Sequence, residues 1–302
     1  MIDKKTTTNL KGFAILIVMT GHLVNSNKTT LDYDLRYFAA FAVSIFLILS
    51  GYGLALSHSI NGLNNFLRKR IYGVILPYVL ATLLISACYG LLLTEPIRVI
   101  RTITLTNPNN PIDATMWFIY FIVLWYVLFF VIYSITHNTL IRVFLLFAAS
   151  AFMCFYIPPD KLPQLSYQFL LHSFSFPIGV MLAEMKGRIS FNYILAISFF
   201  SFLLSFYLLI DEYSMHRYFF SCLSFGLLSV SLFSTLKLNS KILYFLGVIS
   251  YEMYLFEGVL LGYQYGKNYI VNAVLFILIT SASAYFFKMS INFLTRPNRK
   301  DV

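Results

Sequence analysis

The 302-residue sequence has few charged side chains: Asp, Glu, Lys and Arg together account for 11% of its residues, whereas hydrophobic residues account for 59%. Soluble globular chains carry roughly 25% charged and about 45–50% apolar residues. A soluble protein of this composition would lack a polar surface. Because the apolar stretches recur along the entire chain, we expect a single membrane domain over residues 1–302, with no separate soluble domain.

Cysteine is rare, and Cys88, Cys154 and Cys222 fall inside apolar runs without paired or metal-ligand spacing. They are expected to pack as small hydrophobic side chains. The sequence also has no phosphate-binding Gly-rich loop ending in Lys-Ser or Lys-Thr, no dinucleotide fingerprint and no His-Glu-x-x-His. ATP hydrolysis and zinc proteolysis are therefore unsupported, and we expect no metal site and no bound cofactor.

Acidic residues are outnumbered, 12 against 22 basic ones, which gives a formal charge of +10. In a soluble protein this excess would suggest nucleic acid as a partner. Here the basic residues lie in short loops between apolar runs, so the positive-inside rule is the better explanation. We expect the partner to be a lipid bilayer, with no nucleic acid.

Long apolar runs are abundant, and a spanning helix needs about 20 mainly apolar residues. The runs are continuous and do not alternate at period two, which argues against β-strands. No small-residue cleavage site follows the first run, so we interpret it as a retained helix and not a signal peptide. The sequence predicts an all-α, polytopic protein with ten spans at residues 9–26, 37–57, 71–93, 116–136, 140–157, 168–185, 193–210, 218–236, 242–264 and 269–294.

The distribution of basic residues predicts the orientation of these spans. With the N-terminus in the cytoplasm, 15 of the 22 basic residues fall on the cytoplasmic side and 7 on the outer side. The bias favours this orientation. Ten spans also place the C-terminus inside, where Arg296, Arg299 and Lys300 agree with the rule. The longest outer loop is expected at residues 94–115, and another at residues 157–163.

Ionisable residues inside the spans are the informative ones, because a charge at mid-membrane costs about 2.5–3.5 kcal/mol on insertion scales. His22 follows Lys11 by eleven residues, which places the two nearly on one helix face, roughly 16 Å apart along the axis. This pattern suits a substrate that enters from the cytoplasm and reacts within the bilayer, since histidine transfers protons near neutral pH. An interhelical hydrogen bond remains the alternative for His22.

Three further polar residues lie within the apolar runs. Glu252 and Glu257 are five residues apart, a rotation of about 140°, so they do not share one helix face. At least one should face a polar cavity, while a paired or protonated carboxylate that fixes helix packing is the alternative. His172 is expected to have a structural role, and the nearby Pro177 should kink its helix and free a carbonyl.

The basic cluster Arg68-Lys69-Arg70 precedes the third span and has two interpretations. It either anchors the helix at lipid headgroups or binds the phosphates of an anionic cosubstrate.

Five stretches of sequence together resemble acyltransferase family 3, the membrane O-acyltransferases that include O-antigen and exopolysaccharide acetylases. They are similar to the family's first helix with Arg and His, its Phe-Phe-x-x-Ser-Gly-Phe helix, its basic loop running into Pro-Tyr, its middle Trp-Phe and its Leu-Gly-x-x-Ser-Tyr-x-x-Tyr-Leu. They are, in order, residues 11–22, 44–53, 66–78, 116–119 and 246–255. Their order and spacing agree with the family, so the resemblance extends over essentially the whole chain.

The resemblance implies a ten-helix O-acyltransferase of the EC 2.3.1 type that uses cytoplasmic acyl-CoA, usually acetyl-CoA, as cosubstrate. The acceptor would be a hydroxyl on a glycan at or beyond the membrane. His22 corresponds to the family histidine, as general base or transient acyl carrier. Lys11 stands at the position of the family Arg, Gly73 at that of a second Arg, and Glu257 where many members carry His.

The chemistry of acyl transfer suggests roles for further residues. A base must take the hydroxyl proton, and donors must hold the developing oxyanion. We expect His22 as the base, with Glu257 orienting it or acting as a base. Ser50, Tyr52 and Trp117 are candidate donors, and Glu252 a supporting residue.

The acyl-donor site is expected at four cations: Lys11, Arg68, Lys69 and Arg70. No segment resembles an appended esterase-like domain, so we expect a stand-alone transferase of a cell membrane, bacterial by its composition.

Two other functions remain open. In a transporter or flippase, His22, Glu252 and Glu257 would relay protons or contact the substrate, although no inverted repeat is visible. A non-catalytic family member in polysaccharide export would explain the departures at Lys11, Gly73 and Glu257.

Overall fold

The structure is a computed structural model that describes residues 2–26, 33–106, 108–156, 163–188 and 190–295. These residues form fourteen α-helices and no strand. The helices are α1 (Lys4–Asn25), α2 (Tyr37–Asn61), α3 (Phe66–Arg70), α4 (Leu76–Cys88), α5 (Leu91–Thr94), α6 (Pro96–Ile103), α7 (Trp117–Ile135), α8 (Thr139–Tyr156), α9 (Pro163–His172), α10 (Ser175–Glu184), α11 (Phe191–Asp211), α12 (Met215–Leu236), α13 (Lys241–Leu261) and α14 (Tyr269–Leu294).

Eight helical stretches within the described residues are long and apolar enough to cross a membrane. They match the first four and the last four of the ten predicted spans. This confirms an all-helical, multi-pass architecture, while the count of ten stays a prediction. The eight are Lys4–Asn25, Asp34–Asn61, Phe66–Cys88, Ala114–Ile135, Phe191–Asp211, Met215–Leu236, Lys241–Leu261 and Tyr269–Leu294.

The fifth and sixth predicted spans take a different form. The fifth corresponds to the shorter helix α8, and the sixth is divided into α9 and α10. Pro177 has no N–H to donate to the carbonyl four residues earlier, that of Ser173. The Ser150 hydroxyl donates to this carbonyl instead, at 3.0 Å. The kink predicted at Pro177 is therefore a break in the helix, with its freed carbonyl satisfied by α8.

Several predicted boundaries move. Helix α1 begins at Lys4, because the Asp3 side chain caps it by accepting a 2.7 Å hydrogen bond from the Thr6 N–H, which holds the pKa of Asp3 below its usual value. The loop predicted at 94–115 contains helix α6. Most of the 157–163 loop and the C-terminal residues after 295 lie outside the described residues.

A π-helical segment, Ile71–Ile75, joins α3 to α4 and precedes Pro77. The proline ring cannot donate a hydrogen bond and clashes with the carbonyl four residues back in an α-helix. Widening the helix by one residue per turn relieves this clash. The third predicted span thus begins earlier than expected, at Phe66, and includes the basic cluster in its first turns.

Helix α1 crosses α13 at close range, because each contributes a glycine. A Cβ at Gly12 would overlap the Leu243 carbonyl, and a Cβ at Gly247 would overlap the Thr8 carbonyl. Small residues allow backbones to approach in this way inside membranes. Ten residues further along both helices, His22 contacts Glu257. The two helices therefore run parallel and in register.

Helix direction also bears on the number of crossings. Ser44 at the start of α2 contacts His172, and Gly51 packs on Phe176 further along, so α9 and α10 run parallel to α2. If α8 did not cross the membrane, the α9–α10 pair would run in the opposite direction. The observed direction is compatible with ten crossings, a number that stays a prediction.

The glycine crossing can be tested by Gly12→Ala. The added methyl group must push α1 and α13 apart, so we expect the free energy of unfolding to fall by about 1–3 kcal/mol. Thermal melting of the detergent-purified protein measures this. Gly53→Ala is the matched control, because no atom lies within 4 Å of its Cβ position. Equal melting temperatures for the two variants would contradict the close crossing.

The predicted orientation can be tested with single cysteines in a cysteine-free chain. Asn64 and Gln264 are exposed in loops at opposite ends of the bundle. With the N-terminus in the cytoplasm, a membrane-impermeant maleimide should label Gln264→Cys in intact cells and Asn64→Cys only after permeabilisation. The reverse labelling pattern would invert the orientation.

Candidate active site

A cavity of about 690 Å³ runs lengthwise through the bundle between α1, α2, α7 and α13. At one end, which we call the basic end, its wall carries Lys11, Lys69 and Arg70. At the other, which we call the far end, it carries Asn25 and Arg36. The cavity therefore connects a cluster of cations to the opposite side of the helix bundle.

His22 lines this cavity on the same face of α1 as Lys11, as their spacing predicted. Its side chain is 27% exposed, whereas that of Glu257 behind it is fully buried. Nδ1 of His22 lies 3.0 Å from Oε1 of Glu257. This is ion-pair distance, and neither atom has another hydrogen-bond partner among the described residues. Because Nδ1 is buried, the Nε2 side of the ring faces the cavity.

His22 lies close to the C-terminal end of α1. Helix α1 ends at Asn25, three residues or about 4.5 Å further along its axis. Lys11 is eleven residues, or roughly 16 Å, in the other direction. The ring thus lies near the far end, and most of the cavity's length separates it from the basic end.

Asp113 is a site residue that the sequence analysis missed, because it lies in a loop. Its Oδ1 accepts hydrogen bonds from the N–H and hydroxyl of Thr115, at 2.8 and 2.7 Å. Its Oδ2 is buried without a hydrogen bond and packs against Gly258, next to Glu257. Burial raises the pKa of Asp113. The signal was an Asp two residues before Thr115, an N-cap pattern: Asp113 caps the 3-10 turn Ala114–Met116 that leads into the N-terminus of α7.

Glu257 and Asp113 thus give His22 an acidic surrounding. Asp113 interacts electrostatically with both His22 and Glu257. Neither oxygen of the Glu257 carboxylate forms a hydrogen bond. A desolvated carboxylate without hydrogen bonds is costly unless a cation compensates it. The two carboxyl groups are therefore placed to compensate the positive charge that the imidazole ring carries after it takes a proton.

The cations at the basic end are not neutralised by direct salt bridges among the described residues. In the part of the chain that the structure describes, Lys11, Lys69 and Arg70 form no ion pair. The Arg70 guanidinium lies over the Tyr126 ring, 5.3 Å from its centroid, and its Nε is buried without a hydrogen bond. Lys11 interacts electrostatically with Lys288 and Arg70, and also with Glu252, which is itself paired with Lys288. Uncompensated positive charge in a cavity attracts an anion.

Apart from Glu257, which lies behind His22, three predicted residues lie outside the cavity lining. The Arg68 guanidinium packs over the ring of Tyr72. The Tyr52 hydroxyl accepts a 3.0 Å hydrogen bond from the N–H of Ile2, which places it before the start of α1 and far from His22. Glu252 pairs with Lys288 on α14 at 2.9 Å, as expected from its rotation away from Glu257.

The other two candidate donors, Ser50 and Trp117, line the cavity. The Trp117 ring stacks on His172 with 5.8 Å between centroids and 13° between planes. His172 is fully buried, and its Nδ1 lies 3.2 Å from the Ser44 hydroxyl. His172 therefore has the structural position that the sequence suggested, as a support for Trp117.

The geometry suits proton transfer to or from a group in the cavity. Nε2 faces the open space, and a buried carboxylate lies at Nδ1, the arrangement that orients histidine bases. Among the described residues, no three of His, Cys, Asp and Glu are grouped to hold a metal ion. The available chemistry is that of a histidine base with anion binding at a distance.

Comparison with known proteins adds the family. A model described as an acyltransferase domain, that of acyltransferase family 3, matches residues 8–292. Neither the curated proteins nor the solved structures contain a significant match to the chain. Because the match extends over nearly the whole sequence, and over every cavity wall described above, the protein belongs to acyltransferase family 3.

Proposed function

We propose that the protein transfers an acyl group, in the first instance acetyl, from cytoplasmic acyl-CoA to a hydroxyl of a glycan at the outer side of a cell membrane. The observation that carries this proposal is the single cavity that joins unpaired cations to the His22–Glu257 pair. Family membership supports acyl transfer as the reaction. The donor, the acceptor and the residue roles are our inference from the chemistry of the cavity.

The basic end fits the nucleotide part of the donor. Coenzyme A carries phosphates on a nucleotide and its thioester at the end of a long, flexible pantetheine arm. Lys11, Lys69 and Arg70 would hold the phosphates, with the Arg70 side chain suited to pairing with phosphate oxygens. The roughly 16 Å from Lys11 to His22 would then be spanned by the extended arm.

The reaction needs a single proton relay. The acceptor hydroxyl attacks the thioester carbonyl while Nε2 of His22 takes its proton. The tetrahedral intermediate collapses by breaking the carbon–sulfur bond, and the imidazolium returns the proton to the departing thiolate. The products are an ester and coenzyme A with a free thiol. Glu257 would stabilise the imidazolium, and the Trp117 N–H is our candidate donor to the oxyanion. Ser50 lies eleven residues along α2 from Ala39, which packs on Gly21, so it belongs to the part of the cavity near the basic end.

The far end fits a polyhydroxylated acceptor. Around its mouth the cavity is lined by Asn25, Arg36, Tyr37, Tyr167 and Gln168. Amide and guanidinium groups donate hydrogen bonds to hydroxyl oxygens, and tyrosine rings offer flat apolar faces with a polar tip. Sugars present both hydroxyl groups and apolar ring faces. This wall therefore supports a glycan as the acceptor.

His22→Ala tests the central role. Loss of a positioned base should lower the rate by about 10²–10⁴-fold, because His22 is the one His, Asp or Glu side chain that lines the cavity among the described residues. Transfer of radiolabel from acyl-CoA to the acceptor in reconstituted vesicles measures the rate. His216→Ala is the control, since His216 is exposed at the start of α12. Full activity in His22→Ala would rule out the proposed mechanism, and movement of unlabelled substrate without acylation would indicate a transporter.

Arg70→Ala tests the donor site. Removing one phosphate contact should raise the KM for acyl-CoA by about tenfold and leave the KM for the acceptor unchanged. Arg68→Ala is the matched control, because Arg68 precedes it by two residues but does not line the cavity. Equal effects of the two substitutions would show that the cluster acts only through its overall charge.

A further inference from the structure

One face of α13 reaches three separate parts of the cavity wall. Tyr251, Tyr254, Glu257 and Gly258 follow each other at intervals of three, three and one residues, so they lie near one another on the helix surface. Glu257 contacts His22, and Gly258 packs on Asp113. The two tyrosines, which belong to the Ser-Tyr-x-x-Tyr motif, are not accounted for by the reaction itself.

Tyr251 contacts the segment that directly follows Lys69 and Arg70, the cations proposed to bind the acyl donor. Its hydroxyl donates a 2.7 Å hydrogen bond to the carbonyl of Val74. Val74 belongs to the π-helical segment Ile71–Ile75, which starts directly after Arg70. The π segment interrupts the regular helix, so its direction depends on contacts with neighbouring helices. The hydrogen bond from α13 fixes the place from which the Lys69 and Arg70 side chains reach the cavity.

Tyr254 binds the segment that lies beside the reaction centre. Its hydroxyl donates a 2.7 Å hydrogen bond to the carbonyl of Thr115. The N–H and hydroxyl of Thr115 in turn hold the Asp113 carboxylate. Trp117, two residues later, opens α7 and lines the cavity. Tyr254 therefore holds the loop that brings both Asp113 and Trp117 to their places.

We propose that Tyr251 and Tyr254 are positioning residues with separate duties, an inference that rests on the proposed function. Tyr251 positions the π segment and, with it, Lys69 and Arg70 at the basic end. Tyr254 positions the loop that carries Asp113 and Trp117 beside His22 and Glu257. Each hydroxyl proton is committed to a main-chain carbonyl, so neither tyrosine supplies that proton to the substrate. When the tyrosine hydroxyl is removed, the buried carbonyl loses its hydrogen-bond donor, and the segment that contains this carbonyl shifts.

Tyr251→Phe and Tyr254→Phe in the full-length protein separate these duties. Tyr251→Phe should raise both the KM and the directly measured Kd for acyl-CoA by about tenfold, with kcat within about twofold of wild type. Tyr254→Phe should lower kcat by about tenfold and leave the Kd for acyl-CoA unchanged. Tyr244→Phe is the control, since Tyr244 lies on the same helix but is exposed outside the cavity.

Tryptophan fluorescence gives a readout independent of activity. The chain has two tryptophans, so Trp125→Phe leaves Trp117 as the reporter. In that background Tyr254→Phe should shift the Trp117 emission, whereas Tyr251→Phe and Tyr244→Phe should not. The inference is overturned if both tyrosine variants change the same kinetic parameter equally, or if neither changes any.

Failure of the proposed function gives a different result. A folded wild-type protein that binds no acyl-CoA would remove the donor-site function and with it the duty assigned to Tyr251. The Trp117 emission would still decide the duty assigned to Tyr254, because it does not depend on substrate. Wild-type activity with unchanged tyrosine variants would leave the proposed function intact and overturn this inference alone.

Discussion

The close crossing of α1 and α13 determines the positions of the groups that the proposed reaction uses. The glycine pair fixes the two helices in parallel register, and one consequence is that His22 meets Glu257 ten residues later. The same register places Tyr251 and Tyr254 opposite the walls formed by the π segment and by the loop before α7. A shift of one turn along either helix would separate the imidazole from its carboxylate by about 5.4 Å.

Some polar groups inside the bundle have partners and stabilise the fold, whereas others have no acidic partner in the described part of the chain and are available to a ligand. Glu252 is neutralised by Lys288, and His172 is fixed between Ser44 and Trp117. Lys69 and Arg70, by contrast, face the cavity without an acidic partner among the described residues. Uncompensated charge inside a membrane protein is costly, so it is typical of a site whose partner is a ligand.

Much of this arrangement could be predicted from sequence. The apolar runs gave the helical architecture, and the eleven-residue spacing placed Lys11 and His22 on one wall. The sequence could not decide between Ser50 and Tyr52, or between Arg68 and Arg70. Side chains two positions apart on a helix point about 200° apart around its axis, so only one residue of each pair faces the cavity. Tertiary packing decides which one it is. Asp113 escaped notice because its place depends on loop contacts with α13.

The distance between the basic end and His22 has a consequence for energetics. The negatively charged nucleotide stays on one side throughout the proposed reaction. Only a neutral acyl group moves towards the far end, and only a hydrogen atom bound to sulfur moves back. No net charge crosses the low-dielectric interior, so the transmembrane voltage neither drives nor opposes turnover. Acylation of the outer surface would continue in a depolarised cell for as long as the thioester is supplied.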